Sequence, residues 1–251
     1  MHSSPFDQPI AHRGLHNREE GVIENSASAF EAAIARGFAI ECDLQLTSDG
    51  EAVVFHDHDL ERLTGRSGPI HAVTAGEIAK TPLLLSKSGD CPQTFEAFLA
   101  QIAGRTPLVV EIKHQPNASA RDALAKRAVA LAKAYTGPLA FKSFDPHTLK
   151  AVRDAGYTGP LGIVTYAYRK PEWDGEISPL QRFVLRHLLH WPVSRFTFVS
   201  CERTALALPA IRLCRALGTK VMSWTIRDKA HVPAVLRQAD QIVFEGFDPG
   251  P

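Results

Sequence analysis

The segment SASAFEAAIARGFAIECDLQL, Ser26 to Leu46, holds a helix pattern, a stop and a strand pattern in one run. Ser26 is a candidate N-cap ahead of an apolar-periodic stretch, and Gly37 is a stop signal. AIECDLQL then reads as a buried strand carrying two acids. Side chains two apart on a strand share a face, so Glu41 and Asp43 point one way and Cys42 the other. Charge in an otherwise apolar strand is costly unless paired or metal-bound. The structural alternative for this pair is a solvated edge strand.

The same alternation runs along the chain in both directions. PIAHR, AIECDLQL, PLVVEIK, PLAFKS, LGIVT, FTFVS, KVMSWT and DQIVFE are eight candidate strands, separated by helical segments such as SARDALAKRAVALAKAYTG. Alternation of this kind implies βαβ crossovers and a parallel sheet covered on both faces. Eight strands in 251 residues indicate a (β/α)8 TIM barrel, expected as one catalytic domain over residues 1–251. GEAVVFHDHDL reads as an additional extended segment, and Gly, Pro and Ser signals at about residues 57–93 suggest an insertion above strand two. A loop of that length is usually functional or disordered.

Composition narrows the function classes. With 28 basic and 27 acidic residues interspersed, the chain lacks the charge signature of a nucleic-acid partner. No stretch is long and apolar enough for a transmembrane helix, and MHSSPFDQPIAHRG lacks the basic start and apolar core of a secretory leader. The four cysteines have no CxxC spacing and fit free thiols in a reducing cytoplasm. SPLQRFVLRHLLHWP reads by default as packing against the barrel; exposed, it would suit peripheral contact with a membrane and admit lysolipids.

Chemistry in such barrels collects at the carboxyl ends of the strands. Glu111 and Lys113 in LVVEIK repeat the two-residue spacing, with a simple ion pair as the structural alternative. Glu41, Asp43 and Glu111 together would form a hard, oxygen-rich site for Mg²⁺ or Ca²⁺; zinc would call for Cys or His ligands. His12 and His56 each emerge from an apolar run beside these acids, and imidazole exchanges protons near neutrality. The other histidines, His2 among them, are assigned to surface or packing. Arg13 and Lys113 add cations suited to an anionic phosphate, while Glu24 and Asn25 would close the first loop.

In sequence order these residues resemble the glycerophosphodiester phosphodiesterase family. The marks are HRG at His12, ENS at Glu24, ECD at Glu41, DG at Asp49, HD at His56 and EIK at Glu111, continued by LERLTGRSG and by SWTI at Ser223. The resemblance covers most of the chain, thinly after Gly159. It implies a (β/α)8 barrel and a divalent metal held by Glu41, Asp43 and Glu111. It also implies His12 and His56 as a catalytic pair, and phosphate contacts from Arg13 and Lys113. Trp224 is expected, on the resemblance, to wall the alcohol part of the substrate.

The chain departs from the family pattern at four points. Ile23 stands where Pro is usual, Ser26 replaces Thr, and Glu245 sits near a usual Asp. Lys142 in FKSFD stands where small polar residues are common, as either an added substrate contact or a salt bridge at the barrel mouth. The expected reaction is metal-dependent hydrolysis of a glycerophosphodiester to sn-glycerol 3-phosphate and an alcohol by histidine acid/base catalysis. A related barrel phosphodiesterase acting on lysophospholipids or a sugar phosphodiester would use the same site. A non-catalytic phosphodiester-binding module predicts a lost catalytic group, and an isomerase or aldolase predicts a lone base or a Schiff-base lysine.

Overall fold

The structure, a computed structural model, describes residues 4–169 and 177–250. His2 lies outside them. Its strands are β1 Ile10–Ala11, β2 Ala39–Leu46, β3 Ala52–Val54, β4 Leu108–Ile112, β5 Leu139–Ser143, β6 Leu161–Thr165, β7 Phe198–Glu202, β8 Lys220–Ile226 and β9 Gln241–Phe244. All pair in parallel except β3, which runs antiparallel to the end of β2. β1 pairs with both β2 and β9, so the sheet closes into a barrel.

Helices cover the outside of the barrel. The sequence start signals become caps: the Ser26 hydroxyl accepts from Ala29 N–H to begin α1 (Ala27–Ala35), and Gly37 follows in the left-handed region. Within residues 57–93 lie two short helices, α2 (Glu61–Thr64) and α3 (Ala75–Ile78). They bury a core of their own in which Leu60, Leu63, Ile70 and Ile78 join Val53 of β3 and Ile23 of the first loop. Outside the barrel follow α4 (Phe95–Ile102), α5 (Ala118–Ala132), α6 (Pro146–Asp154), α7 (Pro179–Arg186), α8 (Trp191–Ser194), α9 (Pro209–Ala216) and α10 (Val232–Leu236). After β9 no helix forms through residue 250; Phe247 packs on Phe244 at 5.5 Å and Asp248 pairs with Arg36.

Two apolar clusters explain where the charges go. Ile40, Cys42, Leu44, Val110 and Phe141 face outward and pack with helix residues such as Phe30, Phe98 and Leu124. Ile10, Ala39, Val109, Ala140, Phe198, Met222 and Val243 fill the barrel interior, with Phe6 against Phe198 at 5.6 Å. Gly162 makes room for that filling, since a Cβ there would lie 2.2 Å from the Phe198 ring. Strand parity places Glu41, Asp43, Glu111 and Lys142 above this plug on the inner face. Register sets Asp43 beside Glu111 and Glu111 beside Lys142.

Candidate active site

The candidate residues meet in a cavity of about 460 Å³ at the barrel mouth, lined by His12, Arg13, Asp43, His56, Glu111, Lys113, Lys142 and Trp224 among others. Glu41, Asp43 and Glu111 are buried, and one oxygen from each lies within 4.8 Å of the others. An all-oxygen set of this kind suits a hard divalent cation.

Three cations are threaded through the acids. Lys142 Nζ is 2.8 Å from Glu41 Oε1 and 3.3 Å from Glu111 Oε2. Lys113 Nζ is 3.0 Å from Glu111 Oε1 and 3.5 Å from Asp43 Oδ1, and Arg13 Nε is 3.4 Å from Asp43 Oδ2. Burial by itself would raise the Asp43 carboxyl, but Lys113, His56, Arg13 and His12 outweigh it and hold it well below the usual range. Glu111 is likewise lowered against burial, by Lys113 and Lys142, and both ammonium groups are raised in return by their carboxylate partners despite burial. The geometry thus supplies the salt bridge for Lys142, deep in the acid cluster and also on the cavity wall.

The first loop is shaped by its backbone. Arg13 and Asn25 both adopt positive φ, 56° and 54°, and Gly14 continues the turn at 78°. A Cβ on Gly14 would lie 2.9 Å from the Ala29 backbone, so only glycine fits this turn of the HRG motif. The turn aims Arg13 N–H at Glu41 Oε2 at 3.1 Å, and Asn25 Nδ2 donates to Asp43 Oδ2 at 3.0 Å. Non-glycine residues held in the left-handed region cost free energy and cluster at functional sites. Glu24 accepts from Arg13 at 2.7 Å and from Arg62 at 2.8 Å. Burial opposes those two guanidinium groups, which nonetheless bring its carboxyl down to about 2.

Each candidate histidine is backed by a carboxylate. His12 Nδ1 is 2.5 Å from Glu245 Oε2, and its Nε2 faces Glu41 Oε2 at 4.0 Å. His56 Nδ1 is 2.7 Å from Asp57 Oδ1, itself held by Arg62. With Nδ1–H donated to the acid, Nε2 carries the lone pair that can take a proton. Gln45 Nε2 donates to the His56 and Asp57 carbonyls at 3.1 Å, and Gln115 donates to Gln45 Oε1 at 3.0 Å. Trp224 stands over the other side of the cavity, with Nε1–H donating to Ser200 O at 2.9 Å and its ring edge-on to Phe144 at 5.6 Å. Its neighbours on that wall are Val164, Glu202, Arg203 and Arg227.

Asp57, Arg62, Gln45 and Phe144 also shape the site, beyond the candidate residues that the sequence motifs single out. Gln45 carries the parity of Glu41 and Asp43, and Asp57 and Arg62 lie inside the HD and LERLTGRSG marks, so those signals were present. His16, assigned to surface or packing, has Nε2 3.8 Å from Glu245 Oε2 at the edge of the site.

The glycerophosphoryl diester phosphodiesterase family model matches residues 12–244. The chain belongs to that family. A glycerophosphodiester phosphodiesterase of Caldanaerobacter subterraneus is 43% identical over 72 residues, 28% of each chain, so this chain spans well under half of that relative. Glycerophosphodiester phosphodiesterase 1 of Bos taurus is 23% identical over 86% of this chain and 71% of its own. An Oleispira antarctica phosphodiesterase, solved in complex with the product sn-glycerol-3-phosphate, superposes with a TM-score of 0.77 at 21% identity, covering 96% of this chain and 95% of its own. At that identity the likeness is one of fold, and it matches the closed parallel barrel of this family member.

Proposed function

We propose that the chain hydrolyses glycerophosphodiesters to sn-glycerol 3-phosphate and an alcohol, acting in the cytoplasm as one catalytic barrel with an insertion over about residues 57–93. One observation carries the reading: a carboxylate cluster and two carboxylate-backed imidazoles border a single cavity. Four free cysteines fit a reducing compartment. No described helix is long and apolar enough to cross a membrane.

In this reading Glu41, Asp43 and Glu111 hold a divalent ion, Mg²⁺ or Ca²⁺. When bound, the ion would supply Lewis acidity at a phosphoryl oxygen. Arg13 and Lys113, which line the same cavity, would offset the phosphate charge. Of His12 and His56, one takes the proton of the attacking group, either water or a glycerol hydroxyl. The other gives a proton to the alcohol oxygen as its bond to phosphorus breaks. Where a glycerol hydroxyl attacks, water must then open the cyclic phosphate to give the monoester. Glu245 and Asp57 orient the two rings, and Glu24 with Asn25 fixes the loop that carries Arg13. Trp224, Phe144 and Val164 form the apolar wall beside the departing alcohol, and Lys142 keeps the acid cluster compact.

Phosphorus NMR of glycerophosphoethanolamine incubated with the protein tests the reading. Appearance of the sn-glycerol 3-phosphate monoester signal supports it, and a diester left intact by folded, metal-supplemented protein counts against it. Release from a lysophospholipid or sugar phosphodiester instead would move the assignment to those substrates.

A further inference from the structure

One surface lies outside the catalytic account. Helix α7 starts on a well-formed capping box between Ser178 and Gln181, yet none of its residues is buried. Leu180 and Phe183 are exposed by 72% and 52%, and beyond the helix Leu189 and Trp191 are exposed by 55% and 53%. Leu180, Phe183 and His187 follow helical spacing along one face, and the Phe183 and His187 rings lie 4.3 Å apart. Clustered exposed apolar side chains of this size mark an interaction site.

Charge identifies the partner. From Ile177 through Cys201 the sequence contains no Asp or Glu, while Arg182, Arg186 and Arg195 lie among the apolar residues. Face-to-face association of two copies would bring these like charges together, which disfavours a self-complementary contact. A surface of acidic lipid headgroups complements both features, accepting the exposed Arg195 and the half-buried Arg182 and Arg186 beside it while Leu, Phe and Trp enter the acyl boundary.

The patch also adjoins the barrel mouth. Helix α7 follows β6, and Arg186 donates to the Ala167 carbonyl. The next residue back, Tyr166, sets its ring edge-on to the cavity residue Phe144 at 6.2 Å. We propose that the face formed by α7 and the segment through Trp191 docks on an anionic bilayer, holding the barrel mouth beside the lipid surface.

Co-sedimentation with phosphatidylcholine vesicles, with and without phosphatidylglycerol, tests this. The protein should sediment with the anionic vesicles and be released by salt, since surface charge attraction is screened within a Debye length. Combined Leu180→Ser, Phe183→Ser and Trp191→Ser should weaken binding by about tenfold or more. Arg186→Gln with Arg195→Gln should remove the preference for anionic over neutral vesicles. The serine variant should hydrolyse soluble glycerophosphocholine at the parent rate. Binding is read without substrate, so its outcome is independent of the proposed reaction. Failure to sediment, or binding undiminished in the folded serine variant, overturns the proposal. A dimer dissolved by the serine substitutions, without vesicle binding, would also overturn it and assign the face to a second copy.

Discussion

His12 Nδ1 and Glu245 Oε2 lie 2.5 Å apart, joining the ends of the first and last barrel strands across the closure. Glu245 also pairs with Arg227. Burial would raise the Glu245 carboxyl, but the His12 ring in hydrogen-bond contact, with His16 and Arg227 nearby, holds it far below the usual range. Its effect on the site is to fix the His12 ring with Nε2 toward the acid cluster. Glu245→Gln should therefore lower kcat by roughly 10² with a smaller change in KM, and Glu245→Asp should recover part of the loss. Parent-like kcat in the glutamine variant would remove Glu245 from the account.

His12→Ala and His56→Ala should each reduce turnover by roughly 10² to 10⁴. Both side chains border the cavity and contribute little to the core, so melting temperatures should stay near the parent value. Near-parent rates in both variants, measured by glycerol 3-phosphate release, would sink the acid/base assignment.

Strand parity made much of the barrel interior legible. Glu41 with Asp43 and Glu111 with Lys113 stood out because period two puts like-facing charges into apolar runs. The first strand was harder: only Ile10–Ala11 pair, because Arg13 turns into the left-handed region where PIAHR suggested extended backbone. The link from Arg62 to Glu24 depends on the small core of residues 57–93 folding back over the first loop, and no local periodicity encodes such a return. Glu245 reaches His12 only because the barrel closes, which is likewise a property of the whole sheet. Gln45 had the right parity but carries no charge to draw attention.

Lys142 pairs with two buried carboxylates, so its removal should leave Glu41 without its cation and Glu111 with Lys113 alone. Lys142→Met should cost about 3–5 kcal/mol of stability, the usual penalty for breaking a buried pair. Added Ca²⁺ or Mg²⁺ should restore part of it by supplying positive charge to the same acids. Thermal unfolding with and without metal checks this: a larger metal-induced rise in Tm for the variant than for the parent is expected. An equal or smaller rise would place the ion elsewhere.

Acid should weaken the first loop through Glu24. Its carboxyl is lowered from 4.5 to about 2 in the folded protein, so the native state favours the ionised form. The associated stability is fully present above about 4.5 and is lost as pH falls through about 2. Asp43 and Glu111 are lowered as well and act in the same direction. Urea unfolding across this range should show Glu24→Gln less stable than the parent at neutral pH, with the difference shrinking in acid. A difference independent of pH would contradict the ion-pair account of this loop.

If the carboxylate cluster serves phosphodiester hydrolysis, protein stripped of metal should reveal it. Release of sn-glycerol 3-phosphate from glycerophosphocholine would be followed with Mg²⁺, Ca²⁺ or neither added back, in the parent and in Glu41→Gln and Asp43→Asn. Release should require added metal in the parent and be largely lost in both variants. Undiminished release from stripped protein, or from either variant, would contradict that role for the cluster.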